Sequence, residues 1–149
     1  MGAIASGGVR VLNEQVVRTL RPSEAVIARV EAEERLELER REREYRGGLP
    51  PLDVRGKTVI LVDDGLATGS SMRAAVASLR RLGPNRVVVA VPVGAAETCD
   101  EFEGEADEAI CASEPDPFYA VGKWYEDFSQ TTDDEVRDLP ARSEAVRVR

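Results

Sequence analysis

Val59-Ile60-Leu61-Val62-Asp63-Asp64-Gly65-Leu66-Ala67-Thr68-Gly69-Ser70-Ser71 is the stretch that decides how this chain reads. Four apolar residues run directly into two carboxylates, and a small, hydroxyl-rich loop leads into a helical pattern. A strand that is apolar at consecutive positions fits a parallel sheet covered on both faces. Acids at its carboxyl end can accept hydrogen bonds from sugar hydroxyls. Amides and hydroxyls gathered at the following helix N-terminus favour a phosphate, through unpaired donors and the helix dipole. Side by side, these features suit a ribose-phosphate ligand.

Other loops of similar composition fit less well. A Walker A loop needs G-x-x-x-x-G-K-[ST], but Gly65 and Gly69 are too close and no Lys follows. The G-x-G-x-x-G dinucleotide fingerprint is absent. An aspartyl-phosphate phosphatase needs a second acid two residues after the nucleophile, whereas Asp63 and Asp64 are adjacent and Gly65 follows. Without a ligand, the segment would be a strand, a polar turn and a helix capped by Ser70 or Ser71. Adjacent like charges repel, however, and sugar hydroxyls or a divalent cation would compensate them.

Outward from this stretch, Lys57 to Val62, Arg86 to Val93 and Glu108 to Ala112 read as strands. Ser71 to Leu82 and Ala95 to Glu105 read as the helices between them. This alternation predicts β-α-β crossovers and a parallel sheet, with ligands beyond the carboxyl ends of the strands. Upstream, Ala3–Ala5 and Val9–Leu12 flank Ser6-Gly7-Gly8 and predict a hairpin. Asn13 is placed to cap a helix over 14–20, and Pro22-Ser23 opens a longer one over 24–45. Its second half pairs Glu31/Arg35, Glu37/Arg41, Glu39/Arg43 and Glu42/Arg46 at i,i+4. It reads either as a solvated, self-paired face or as a partner or lid surface. Gly47-Gly48 stops it.

Five of the seven aromatics lie in 114–130: Phe118, Tyr119, Trp124, Tyr125 and Phe128. They either close the edge of the core or supply a stacking surface for a nucleobase, with Tyr119 and Trp124 the candidates. The tail from Thr131 has an acidic start and one expected helical turn.

At 149 residues and 42% hydrophobic, the chain is one domain with a real core. A net charge of -8 argues against nucleic acid. There is no His, and Cys99 and Cys111 are far apart in sequence, so no protein metal site is expected. Two isolated cysteines fit a reducing cytoplasm, as buried apolar residues. The longest apolar run, 87–93, is too short to span a bilayer. Met1 to Ser6 matches a myristoylation pattern, but no basic cluster adjoins it as a second anchor. Arg greatly outnumbers Lys, which occurs only at Lys57 and Lys123, a usage that suggests a bacterial gene.

The segment 57–72 resembles the phosphoribosyl-pyrophosphate (PRPP) motif of type I phosphoribosyltransferases, and the resemblance extends acceptably over 57–128. A bacterial subgroup of that family is similar over a longer range, including Met1-Gly2-Ala3-Ile4, the charged helix and Tyr119…Trp124-Tyr125-Glu126-Asp127-Phe128. The resemblance implies an α/β fold, a Rossmann-like parallel sheet flanked by helices. Residues 1–130 would form the domain, with hairpin and charged helical insertion in 1–50, PRPP-binding core in 57–128 and tail in 131–149. It implies that Asp63 and Asp64 are catalytic residues that bind the ribose 2′- and 3′-hydroxyls. Ala67, Thr68, Gly69, Ser70 and Ser71 would hold the 5′-phosphate. The implied reaction displaces pyrophosphate from ribose C1 by a nitrogenous base, with Mg²⁺ bound mainly through the substrate. The family also carries a strand and a pyrophosphate loop upstream of the hairpin, where this sequence starts, so weak binding and slow transfer, or none, are expected. The alternatives are a non-catalytic PRPP- or nucleotide-binding regulatory module, and an interaction protein using the charged helix. The expected partners are PRPP or a nucleotide, with a homo-oligomer possible in principle, and neither nucleic acid nor membrane.

Overall fold

The computed structural model describes residues 2–46, 52–136 and 138. Two short strands, β1 (Gly2–Ala5) and β2 (Val9–Leu12), form the antiparallel hairpin that Gly7-Gly8 predicts. Both glycines have positive φ, 75° and 73°, which an L side chain adopts only at a cost. Helix α1 (Glu14–Leu20) follows directly, and Asn13 Oδ1 accepts the Val16 amide at 3.0 Å as its cap. Helix α2 spans Glu24–Arg46, and Ser23 receives the amides of Val26 and Ile27 at its start.

The second part is the predicted parallel sheet. Strands β3 (Thr58–Val62), β4 (Arg86–Val91) and β5 (Glu108–Cys111) lie in the order β3-β4-β5, all parallel. Helix α3 (Ser70–Arg81) connects β3 to β4, and α4 (Ala96–Phe102) connects β4 to β5. Strand β4 stops at Val91 rather than Val93. Pro92 has no amide to donate, so the ladder ends there. Val93 and Gly94 pair instead with Leu66, in the loop after β3. Helix α4 is shorter than its apolar pattern suggests, and its last residues wind into turns over 103–106 that lead to β5.

One face of the sheet carries the core. Val87, Val89 and Val91 meet Leu66, Met72, Val76, Cys99 and Phe102, with Leu61, Ala109 and Cys111 at the margin. Helix α3 lies between this sheet face and the hairpin, touching β1 and β2 on its other side. Ser78 Oγ donates to the Ser6 carbonyl at 2.9 Å and Arg81 Nη1 to that of Gly7 at 2.8 Å, fixing the hairpin turn on α3. Helix α2 rests on β1 and is tied to β2 by Arg10–Glu31 at 2.9 Å.

The opposite sheet face departs from expectation. The apolar run predicts β3 buried on both sides, but Ile60 is 61% exposed and Val62 74%. Ile110, in register with Ala90 beside Val62, is 46% exposed. A continuous apolar run shows that a strand can be covered twice. It does not supply the second cover, and among the described residues no element lies there.

In α2 the expected pairs Glu31/Arg35 (3.0 Å) and Glu37/Arg41 (2.7 Å) form. Arg40 adds contacts to Glu37, Glu44 and Asp133. With two guanidiniums on it, Glu37 is held down to about 2. Glu42 receives the Ser6 hydroxyl from the hairpin turn, and the Arg46 side chain lies outside the described residues, as does the 47–51 stop. The face is therefore partly spent on the hairpin and on Asp133, which also accepts the Tyr45 hydroxyl at 2.5 Å. Residues 133–136 form the expected helical turn, opened by Thr132 and Glu135. From 139 onward the tail lies outside the described residues.

Candidate phosphoribosyl site

At the carboxyl end of β3 the chain delivers Asp63 and Asp64 to the surface, both exposed. Asp63 folds back and its Oδ1 accepts the Asp64 amide at 2.9 Å. Partial desolvation pushes the Asp63 carboxyl above its ordinary value. The Asp64 charge adds to that shift, and the Asp64 amide opposes it. The rise at Asp63 is in the direction that a neighbouring carboxylate favours, though burial is its larger cause.

The loop that follows is latched to the rest of the sheet. The Leu66 amide donates to Val93 O at 3.0 Å, and the Ala95 amide to Leu66 O at 2.8 Å. Thr98 Oγ1 donates to Ala67 O at 2.8 Å. Arg73, from the first turns of α3, reaches back with Nη1 to Thr68 O at 2.7 Å. Its other nitrogens meet Glu101 and Glu105, and its guanidinium lies 5.1 Å above the Phe102 ring. The loop's carbonyls are thus turned inward onto side chains. Among the described residues no protein acceptor is found for the amides of Ala67 to Ser71, which helix geometry leaves open at an N-terminus.

Gly69 is the N-cap of α3, with φ 67° and no side-chain cap. The serine cap expected of a ligand-free helix is therefore corrected: Ser70 and Ser71 are the first helical residues. The Thr68 and Ser70 hydroxyls lie 3.4 Å apart. Ala67, Thr68 and Ser71 are exposed, Ser70 half-buried and Gly69 buried. A cleft of about 560 Å³ opens beside this loop toward α1, lined by Leu12, Asn13, Ala67, Thr68, Ser70 and Arg73 among others. Asp63 and Asp64 are not part of that lining.

The aromatic segment reaches the acids through residues other than the two singled out in the sequence. A 3-10 turn, Val121–Trp124, sets Val121 against Gly65, where even a Cβ would stand 2.8 Å from Val121 Cγ1 and from Val93 O. Tyr125 then donates its hydroxyl to Asp64 O at 2.6 Å, and its ring lies 5.2 Å from that of Phe128. Tyr119 is 77% exposed and Trp124 47%. Arg73 and Thr98 escaped the sequence reading, and Tyr125 entered it only as one of the aromatics of 114–130. Arg73 carried one signal, its place four residues after Gly69 on the helix that opens from the loop.

The cysteines are also corrected. Cys99 and Cys111 form a disulfide between α4 and the end of β5, 12 residues apart. They are not two isolated thiols, because Cys111 lies in register with Val91 at the carboxyl end of β4, the same end of the sheet from which α4 and Cys99 start. Both sulfurs and a Glu114 carboxylate oxygen lie within 4.8 Å of one another.

The phosphoribosyl transferase domain profile matches residues 3–127. The chain belongs to that family. A Mycobacterium tuberculosis (strain H37Rv) protein provisionally named a phosphoribosyl transferase is 43% identical to this phosphoribosyl transferase domain over 135 residues, 91% of the chain and 30% of that protein. The bifunctional protein PyrR of Streptococcus equi subsp. equi is 54% identical over 44 residues, 29% of this chain and 25% of its own. The crystal structure of TT1426 from Thermus thermophilus has the same fold, with a TM-score of 0.71 and 39% identity over 93% of this chain and 65% of that one. The domain thus spans about a third of the mycobacterial relative's length. Among the described residues, no helix is long and apolar enough to cross a membrane.

Proposed function

We propose that this chain binds PRPP or a related ribose 5-phosphate ligand and transfers phosphoribose to a nitrogenous base in the bacterial cytoplasm. One observation carries the reading: two exposed acids at the end of a parallel strand are followed by a loop whose carbonyls are engaged while its amides stay open at the start of α3. In this reading the amides of 67–71 and the hydroxyls of Thr68, Ser70 and Ser71 receive the 5′-phosphate. Asp63 and Asp64 accept the ribose hydroxyls, and Tyr125 holds the Asp64 backbone in place. Trp124 and Tyr119 offer stacking surfaces to the base.

The bond that forms joins a base nitrogen to ribose C1, and the bond that breaks joins C1 to pyrophosphate. Positive charge develops on the ribose ring between the two events, and fixed carboxylates nearby stabilise it. Mg²⁺, when bound with the substrate, would supply charge neutralisation on the leaving pyrophosphate. The two exposed Asp oxygen donors fit such a hard cation, though two carboxylates leave most of its ligands to substrate and water.

The test is release of pyrophosphate from PRPP with Mg²⁺ and a panel of purine and pyrimidine bases, alongside calorimetric titration with PRPP. Binding with base-dependent release supports the transferase. Binding without release under any base moves the chain to a ligand-binding or regulatory module. No binding overturns both.

A further inference from the structure

We infer that the Cys99–Cys111 disulfide is a thiol–disulfide switch that controls the order of the loop Leu66–Gly69. Its effect on ligand affinity rests on the proposed function; its effect on the loop does not.

The disulfide stands at the latch that holds this loop. Cys99 follows Thr98, whose hydroxyl holds Ala67 O. Cys111 lies two residues before Ser113, whose carbonyl receives the Gly94 amide at 3.0 Å. Gly94 sits between Val93 and Ala95, the two residues that grip both sides of Leu66. Each half of the cystine is therefore within two residues of a hydrogen bond to the loop or to its latch. The sulfurs also press directly on the latch. A Cβ on Gly94 would collide with Cys99 Sγ and stand 3.2 Å from Cys111 Sγ. Glycine at 94 is required by the cystine, not by its own backbone, which is not among those with positive φ.

Reduction changes the volume at this point. Two thiols cannot stay at bonding distance, and non-bonded heavy atoms settle about 3.5–4 Å apart. Cys99 is buried in the core beside Leu66 and Phe102, where close packing leaves little room. Separation therefore displaces Gly94 or the start of α4, and each of these carries a latch to the loop.

The chemistry closes with a dithiol reductant. One of its thiolates attacks Cys111 Sγ, which is half-buried and faces the exposed Glu114, whereas Cys99 is only 4% exposed. The Sγ–Sγ bond breaks, and Cys99 leaves as a thiolate and takes up a proton. The second reductant thiol then attacks the mixed disulfide and releases the Cys111 thiol. Two electrons pass to the protein, and the reductant ends as a disulfide. In a reducing compartment a disulfide is more often redox-sensing than a permanent staple.

The experiment compares the 149-residue chain purified without reductant, the same protein after dithiothreitol, and Cys111→Ser. Alkylation and mass spectrometry count free thiols, hydrogen exchange reads single amides, and calorimetry with PRPP reads affinity. Reduction is expected to speed exchange at Leu66, Gly94 and Ala95 at least about tenfold, with Val88 to Ala90 unchanged, because local opening of a latch leaves the central strand closed. PRPP affinity falls about tenfold in parallel, and reoxidation restores both. Cys111→Ser behaves as the reduced form and ignores dithiothreitol. Should Cys111→Ser fail to fold, the wild-type oxidised and reduced forms still decide. The switch is overturned by two alkylated thiols in the untreated protein, by equal exchange at the three amides in both forms, or by a dithiothreitol response in Cys111→Ser. Redox-dependent exchange with no PRPP binding in either form supports the switch and sinks the ligand reading. Equal PRPP binding with unchanged exchange does the reverse.

Discussion

At Gly69 the backbone turns through φ 67°, and a Cβ there would stand 2.7 Å from Phe102 Cε2 and 3.1 Å from Thr98 Cγ2. The residue is glycine for two reasons, a left-handed conformation and contact with a buried ring. The first costs a side chain roughly 1–2 kcal/mol and the second roughly 1–3 kcal/mol. Gly69→Ala is expected to lower stability by about 2–5 kcal/mol in urea titration, ligand or not, on the sum of those costs. A loss under about 1 kcal/mol would mean that Phe102 yields freely. Gly69 is thus a poor position for isolating a ligand effect, and the acids are better. Asp63 has a folded carboxyl value above its unfolded one. Its favourable contribution is complete below the unfolded value and is lost as pH rises through the folded one, so at neutral pH the charge opposes folding. Asp63→Asn with Asp64→Asn is therefore expected to leave the unliganded protein as stable or more stable at pH 7. The same change costs PRPP binding roughly 1.5–3 kcal/mol for each charge-assisted bond lost. Unfolding of this double variant, with no PRPP affinity in the parent, would make the acids structural. The pair was legible in the sequence because nothing in folding calls for two adjacent charges after an apolar strand. Arg73 was not, because a single arginine on a helix is ordinary until Thr68, Glu101 and Glu105 are seen around it.

Among the elements, β4 to β5 shows what periodicity reveals and what it hides. Apolar runs place both strands and the helix between them. The side chain that joins their ends is an acid with no motif. Asp107 donates its amide to Val87 O at 2.9 Å, and its carboxylate accepts the Val87 amide at 2.6 Å and Arg80 Nη1 at 2.8 Å. It clamps the start of β5 to β4 and α3 together. The Val87 amide, first, and then Arg80 hold its carboxyl below the ordinary value. A depressed carboxyl stabilises the fold above its unfolded value, and that stabilisation drains away as pH falls through the folded one. Urea midpoints of the parent are expected to fall between about pH 4 and the lower folded value, and those of Asp107→Asn to fall less over the same interval. Parallel pH profiles for the two proteins would show that the clamp is idle. Hairpin, capped α1 and charged α2 were equally legible, through Gly7-Gly8, Asn13 and the i,i+4 pairs. The hairpin's seat on α3 was not, because Ser78 and Arg81 bond to carbonyls that any sequence would offer.

At the scale of the whole molecule, one side is finished and the other is open among the described residues. The side facing α3 and α4 buries Val87, Val89 and Phe102 almost completely. On the other, Ile60, Val62 and Ile110 stand exposed around Val88, and β3 pairs with β4 alone. Local pattern could not foresee this, since burial depends on what lies across from a strand as much as on the strand itself. An apolar face bordered by a strand with free backbone groups favours association. The 149-residue chain is therefore expected to self-associate with rising concentration, measured by light scattering across a dilution series. Ile60→Thr with Ile110→Thr keeps β-branched side chains on both strands and alters positions already about half or more exposed. Such changes cost little stability, usually within about 0.5 kcal/mol each. The double variant is expected to shift association to several-fold higher protein concentration while PRPP affinity holds, because neither residue belongs to the loop or the acids. A parent that stays monomeric throughout the series would show that the open face is tolerated in water. A variant that associates as readily as its parent would place the contact elsewhere on the molecule, with the paired charges of α2 the next surface to alter.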